Sequence, residues 1–271
     1  DFSLVERINP NIHPIAINPF DVSAKVRSDL VRQAADAAWA AGDEIIQVDG
    51  MLLTSDKSFT VANSEGLYTS DRQIRTRMMV AAIASDGHQN QQGQASPGRQ
   101  MGLEFFDIDR FRPEKIGAEA ARQAKVNLRA IPCPSGKMTV AIASGFGGVI
   151  FHEACGHSLE ASCVAIGMSQ MCGKLGKPVA GPKVTAVDDG TLVNGWGSCN
   201  IDDEGNPNRR RVLIENGILK SYLVDRLGER RMGLPHTASA RRQSYAFETT
   251  SRMSNTFIEN GPDTNEEIIA S

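Results

Sequence analysis

The stretch GKMTVAIASGFGGVIFHEACGHSLEA, residues 136–161, decides how this sequence is read. An apolar strand pattern, a glycine-rich turn and a helical pattern follow one another, the order used by phosphate-binding loops. Neither nucleotide fingerprint is present: there is no G-x-x-x-x-G-K-[ST], and Gly145, Gly147 and Gly148 do not form G-x-G-x-x-G. What remains is the helix and its polar residues. His152, Glu153 and His157 read H-E-x-x-x-H, one residue longer than the H-E-x-x-H of zinc peptidases, in which the glutamate is the general base. On an ideal α-helix, five steps of about 100° leave the two rings about 140° apart, too far round to share an ion. A π-type turn brings positions i and i+5 nearly into line, and Gly156 lowers the cost of such a distortion. Two readings stay open at this point: histidines satisfied separately by backbone groups, or a metal site on a widened helix running from residue 147 to about 162.

Around this stretch the chain alternates helices with antiparallel strand patterns. DVSAKVRSDLVRQAADAAWAAGD (21–43) is alanine-rich, begins at an N-cap such as Asp21 or Ser23 and stops at Gly42. PEKIGAEAARQAKVNLRAIP (113–132) opens on proline and ends before another, a second helix. Residues 44–66 read as short strands separated by turns, 72–84 as a long strand, and the polar 88–102 as a loop or hairpin tip. GMSQMCGKLGKPVAGPK (167–183) has the composition of a mobile segment. Beyond it, VTAVDDGT and the pair joined at Asn216-Gly217 read as strands, the latter a strong hairpin signal. Meanders mixed with helices, without regular βαβ alternation, predict an α+β fold of antiparallel sheets with packed helices.

Composition excludes several function classes. The 271 residues are 41% hydrophobic and 23% charged, enough for one large core or two smaller ones. A net charge of −3 offers no field to attract nucleic acid or an anionic membrane. Five cysteines, at 133, 155, 163, 172 and 199, form no C-x-x-C pair and fit a reducing compartment, so a cytoplasmic protein is expected. No apolar run reaches the length of a membrane helix. The chain opens without methionine and stops within an apparent helix, which reads as a piece of something longer.

A catalytic zinc takes three protein ligands and keeps one position open. The motif shows two, His152 and His157. Glu160 is a third ligand or an orienting group behind a histidine, and Cys163, Cys172 and Cys199 are soft-ligand candidates without diagnostic spacing. His13, His88 and His236 stand alone in the sequence.

FHEACGHSLEA, VTAVDDGTLVNGWGSCNIDDEGNP, RVLIENGILKSYLVDRLGERRMGL, ARRQSYAFETTSRMSNTFIENG and the closing EEIIAS resemble, in that order, blocks of the TldD branch of the TldD/PmbA metalloprotease family. The resemblance implies a zinc metallopeptidase acting on unfolded or small peptides, with His152 and His157 as Zn2+ ligands and Glu153 as base. It implies a third ligand, a cysteine, in a block beyond Ser271. It also implies a PmbA/TldE-like partner subunit or a homodimer, with no nucleic acid or membrane involved. Residues 1–132 then correspond to the C-terminal part of an N-terminal α+β domain and 133–271 to the N-terminal part of the catalytic α+β domain. Arg241, Arg242 and Tyr245 are candidates for the substrate cleft. The alternative is a non-catalytic peptide-binding member, or an inactive fragment, of the same family.

Overall fold

The computed structural model describes residues 3–271. They form two compact units interleaved along the chain, one from His13–Lys57 and Arg72–Lys137, the other from the stretch ending at Ile12, Ser58–Asp71 and Met138–Ser271.

In the first unit, helix α1 (Ala24–Trp39) starts where Ser23 accepts a hydrogen bond from the Val26 amide, and α2 (Pro113–Leu128) carries proline in its first turn. The two helices cross at small residues: a β-carbon on Gly117 would lie 1.8 Å from the Ala34 carbonyl oxygen. The expected short strands of residues 44–66 are one long strand, β2 (Ile45–Ala62), beside β3 (Leu67–Ser85); residues 45–57 and 72–85 of the pair belong to this unit, and the ends joined by the Asn63–Gly66 turn to the other. Turn-type residues inside β2, such as Asp49 and Gly50, are carried through by pairing with β3, which overrides their weak local preference. The polar 88–102 stretch is likewise more than a loop. It contributes β4 (Asn90–Ala95) and β5 (Gly98–Arg99), both antiparallel to β3. Gly93 explains the absence of a larger side chain there, since its β-carbon would lie 2.2 Å from the Ala120 carbonyl oxygen of α2. Met78, Val80, Phe105, Ile116 and Ala120 fill the core between sheet and helices.

The second unit is built on a four-stranded antiparallel sheet. Its strands are β6 (Ala186–Asp189), β7 (Arg210–Glu215), β8 (Ile218–Leu219) and β11 (Thr256–Ile258), in the order β11-β6-β7-β8. Asn216 and Gly217, at φ 49° and 80°, make the β7–β8 hairpin turn as expected. Two further strands, β9 (Ala240–Arg241) and β10 (Thr250–Ser251), pair with each other. A short parallel pair, β1 (Val5–Arg7) with β3, is the exception to the antiparallel pattern. Segment 136–143, expected to be a strand, has no regular structure, and Met138, Val140 and Ile142 are exposed. An apolar run becomes a strand only beside a partner edge, and no described strand pairs with it. No helix among the described residues is long and apolar enough to cross a membrane.

A buried ion pair ties β6 to β7. Arg211 and Asp188, 5% and 0% exposed, meet at 2.5 Å. The remaining Asp188 valences take the Ser254 amide and hydroxyl, both at 2.7 Å, while Arg211 also donates to the Thr237 and Ala238 carbonyls. Removing one partner of such a pair leaves an uncompensated buried charge. Arg211→Met is therefore expected to cost about 3–5 kcal/mol in urea unfolding. Arg122→Ala, which breaks an exposed pair with Glu119, is expected to cost no more than about 1 kcal/mol.

Candidate metal centre

The site helix changes pitch along its length. It begins as an α-turn, α3 (Gly148–Phe151), widens into a π-turn over His152–Gly156, and tightens into a 3-10 turn over His157–Leu159. Glu160, with extended backbone (φ −73°, ψ 131°), ends it and caps the next short helix, α4 (Ala161–Val164). Backbone bonds from Ala161 N–H to the Leu223 carbonyl and from Leu223 N–H to the Leu159 carbonyl fasten this end to the chain following β8.

The π-turn brings the two histidines together. Their ring centroids lie 4.7 Å apart with the rings nearly perpendicular, at 84°. Glu153 Oε2 is 3.9 Å from His157 Nε2. Among the described residues, His152, Glu153 and His157 are the one group whose ligand atoms gather within 4.8 Å of one another. Each histidine uses its Nδ1 on a protein partner: Glu160 Oε1 at 3.0 Å for His157, and the Thr256 hydroxyl at 3.4 Å for His152. The Nε2 atoms are left for a shared ligand. Exposure is one-sided, with the Glu153 side chain 65% exposed and that of Glu160 2%. The group thus opens to solvent on the Glu153 side. Two imidazoles and a carboxylate make a donor set suited to a divalent, nitrogen-accepting ion such as zinc.

Gly156 serves a purpose other than the one its sequence position suggests. Its backbone is ordinary right-handed helix, φ −56° and ψ −53°, so conformational freedom is not what requires glycine. Its neighbour does: a β-carbon at 156 would lie 2.3 Å from Met253 Sδ. Met253 belongs to a segment that touches the site at several points. The Ser251 hydroxyl accepts from the Ser162 amide, Arg252 donates to Glu160, and Thr256 faces His152. These partners lie 89 to 104 residues apart in sequence, so spacing carried no signal for them.

Glu160 has both oxygens engaged, one with His157 and one with Arg252. Arg241 is turned into the fold, donating to the Gly197 carbonyl and to Cys199 Sγ. Arg242 is exposed, and Tyr245 is 95% exposed on the connection between β9 and β10. Cys199 is fully buried, and burial pushes its thiol pKa up. Cys172 donates to the Val164 carbonyl. No cysteine among the described residues joins the histidine group.

Comparison with known proteins gives this geometry a family context. A profile of the PmbA/TldA metallopeptidase central domain matches residues 17–128, and one of the PmbA/TldA metallopeptidase C-terminal domain matches residues 135–271. The chain is 34% identical to a metalloprotease TldD homolog of Haemophilus influenzae, over 97% of its own length and 56% of the relative's. A zinc metalloprotease TldD homolog of Saccharolobus solfataricus is 28% identical, over 74% of this chain and 46% of that protein. The chain thus spans about half the length of these curated relatives. Among solved structures, a protein of Thermotoga maritima described as a DNA gyrase modulator superposes with TM-score 0.79 at 22% identity, over 98% of this chain and 59% of that one. TldE of Thermococcus kodakarensis superposes with TM-score 0.74 at 20% identity, over 98% and 59%. At these identities the structures establish the fold alone.

The Met253 contact bears on one substitution. Alanine normally stabilises a helix by about 0.5–1 kcal/mol over glycine. At Gly156→Ala this gain is expected to be reduced or lost, because the Met253 thioether must move to make room, measured as the urea midpoint. Adding Met253→Ala, which vacates that space, should restore the gain of the Gly156→Ala change.

Proposed function

We propose, from the premise that this chain belongs to the PmbA/TldA metallopeptidase family, that it carries two metal ligands and the general base of a TldD-type zinc peptidase. The observation that carries the proposal is the convergence of His152, Glu153 and His157 across the π-turn. In this reading His152 and His157 hold the ion through Nε2, their Nδ1 atoms being occupied by Thr256 and Glu160. A zinc ion bound there supplies a Lewis acid that polarises a peptide carbonyl and acidifies a water molecule. Glu153, the most exposed member of the group, accepts the proton of the attacking water and delivers it to the departing amine. A catalytic zinc requires a third protein ligand. We assign it to the additional length of the complete protein, since no cysteine among the described residues joins the group.

The substrate in this proposal is a flexible peptide, entering from the open Glu153 side. Arg242 and Tyr245 are the exposed candidates to contact it, while Arg241 is already committed to the Gly197 carbonyl. A TldE-like subunit is the proposed partner. The net charge of −3 gives a role on DNA no electrostatic support.

Glu153→Gln tests the proposal in the full-length protein with its partner subunit. Peptide hydrolysis is expected to fall on the order of 10²- to 10⁴-fold, the usual contribution of a positioned base, while zinc content stays stoichiometric. Unchanged turnover on a flexible peptide would remove Glu153 from the chemistry. His152→Ala is expected to lose the zinc as well.

A further inference from the structure

We propose that the segment Ser251–Thr256 sets the tautomer and orientation of both site histidines, with Arg252 as a positioning residue for His157 acting through Glu160. The inference rests on the reading of both histidines as metal ligands. Its structural basis is a chain of bonds outside that ligand group. Glu160 is 1% exposed, and its carboxylate bridges two donors: Oε1 meets His157 Nδ1 at 3.0 Å, and Oε2 receives Arg252 Nη1. A carboxylate only accepts, so the proton of His157 sits on Nδ1 and the lone pair on Nε2. The guanidinium at the far oxygen fixes the carboxylate in that orientation, as charge-assisted bonds do.

Arg252 is itself held in place. Its amide donates to the Ser239 carbonyl, its neighbour Ser251 accepts from the Ser162 amide, and Ser254 is bound to buried Asp188. The same segment treats His152 in parallel. Thr256 Oγ1 lies 3.6 Å from Met253 Sδ and 3.4 Å from His152 Nδ1; in this proposal its proton points toward the sulfur, so that its oxygen accepts from His152 Nδ1. Both rings therefore present Nε2 to the common point. A neutral histidine side chain without these partners spends much of its population with the proton on Nε2, where the ion must bind.

The test separates this role from general stability and from the peptidase reading. Long-range ¹H–¹⁵N spectra of the metal-free protein, at a pH where both imidazoles are neutral, report the tautomer of each ring without reference to activity. Wild-type His152 and His157 are expected in the Nδ1–H form. Arg252→Met is expected to shift His157 toward a mixture while His152 stays unchanged, and to weaken zinc binding about 10- to 100-fold in a chelator competition with the full-length protein. Arg252→Lys should restore most of both. A His157 tautomer and zinc affinity unaltered in Arg252→Met would overturn the proposal. If that variant does not fold, Thr256→Val makes the same test at His152: a shifted His152 tautomer supports the proposal, and an unshifted one overturns it. Loss of the peptidase reading alone would appear as wild-type tautomers in a protein that binds no zinc.

Discussion

Met253 occupies the space that a β-carbon on residue 156 would need, and the segment that carries it also bonds to Ser162, Glu160 and His152 around the site helix. An α-helix through HEACGH would put the two rings on different faces. The π-turn aligns them, and it lies where the helix packs directly on the 251–256 segment. That segment is not a free loop. Ser254 is bound to Asp188, Asp188 to Arg211, and Asn255 to the Asp189 carbonyl and the Ser198 hydroxyl. The buried ion pair of β6 and β7 thus anchors the surface against which the site helix is shaped.

From this arrangement follows a site with two unlike sides. On one, Glu160 is enclosed and every oxygen is spoken for. On the other, Glu153 stands in solvent within 3.9 Å of His157. An enclosed carboxylate behind an imidazole suits a fixed, orienting role. An exposed carboxylate beside it suits proton exchange with a water and an incoming substrate. The two glutamates are seven residues apart, one in the π-turn and one at the helix end, and they face different nitrogens of His157, Nε2 and Nδ1.

Much of this was legible in the sequence. The Ser23 cap of α1, the proline that opens α2, the Asn216-Gly217 hairpin and the α+β class follow from local chemistry, and the i, i+5 histidine spacing calls for a π-turn if the rings are to meet. Other features depend on partners distant in the chain. Turn-type residues inside β2 are overruled by pairing with β3, and the apolar 136–143 run stays irregular, with no described strand paired to it. The need for glycine at 156 cannot be read from its neighbours in sequence, because Met253 creates it. Arg252 and Thr256 escape detection for the same reason: each is about a hundred residues from its partner, with no periodicity to mark it.

X-ray absorption at the zinc edge of the zinc-loaded, full-length protein reads the ligands of the ion. Two imidazole nitrogens are expected in the first coordination shell, at about 2.0–2.1 Å, and the His152→Ala/His157→Ala protein is expected to retain no zinc with that shell. A first shell without imidazole, or one unchanged by the double substitution, would contradict the assignment of His152 and His157 as ligands.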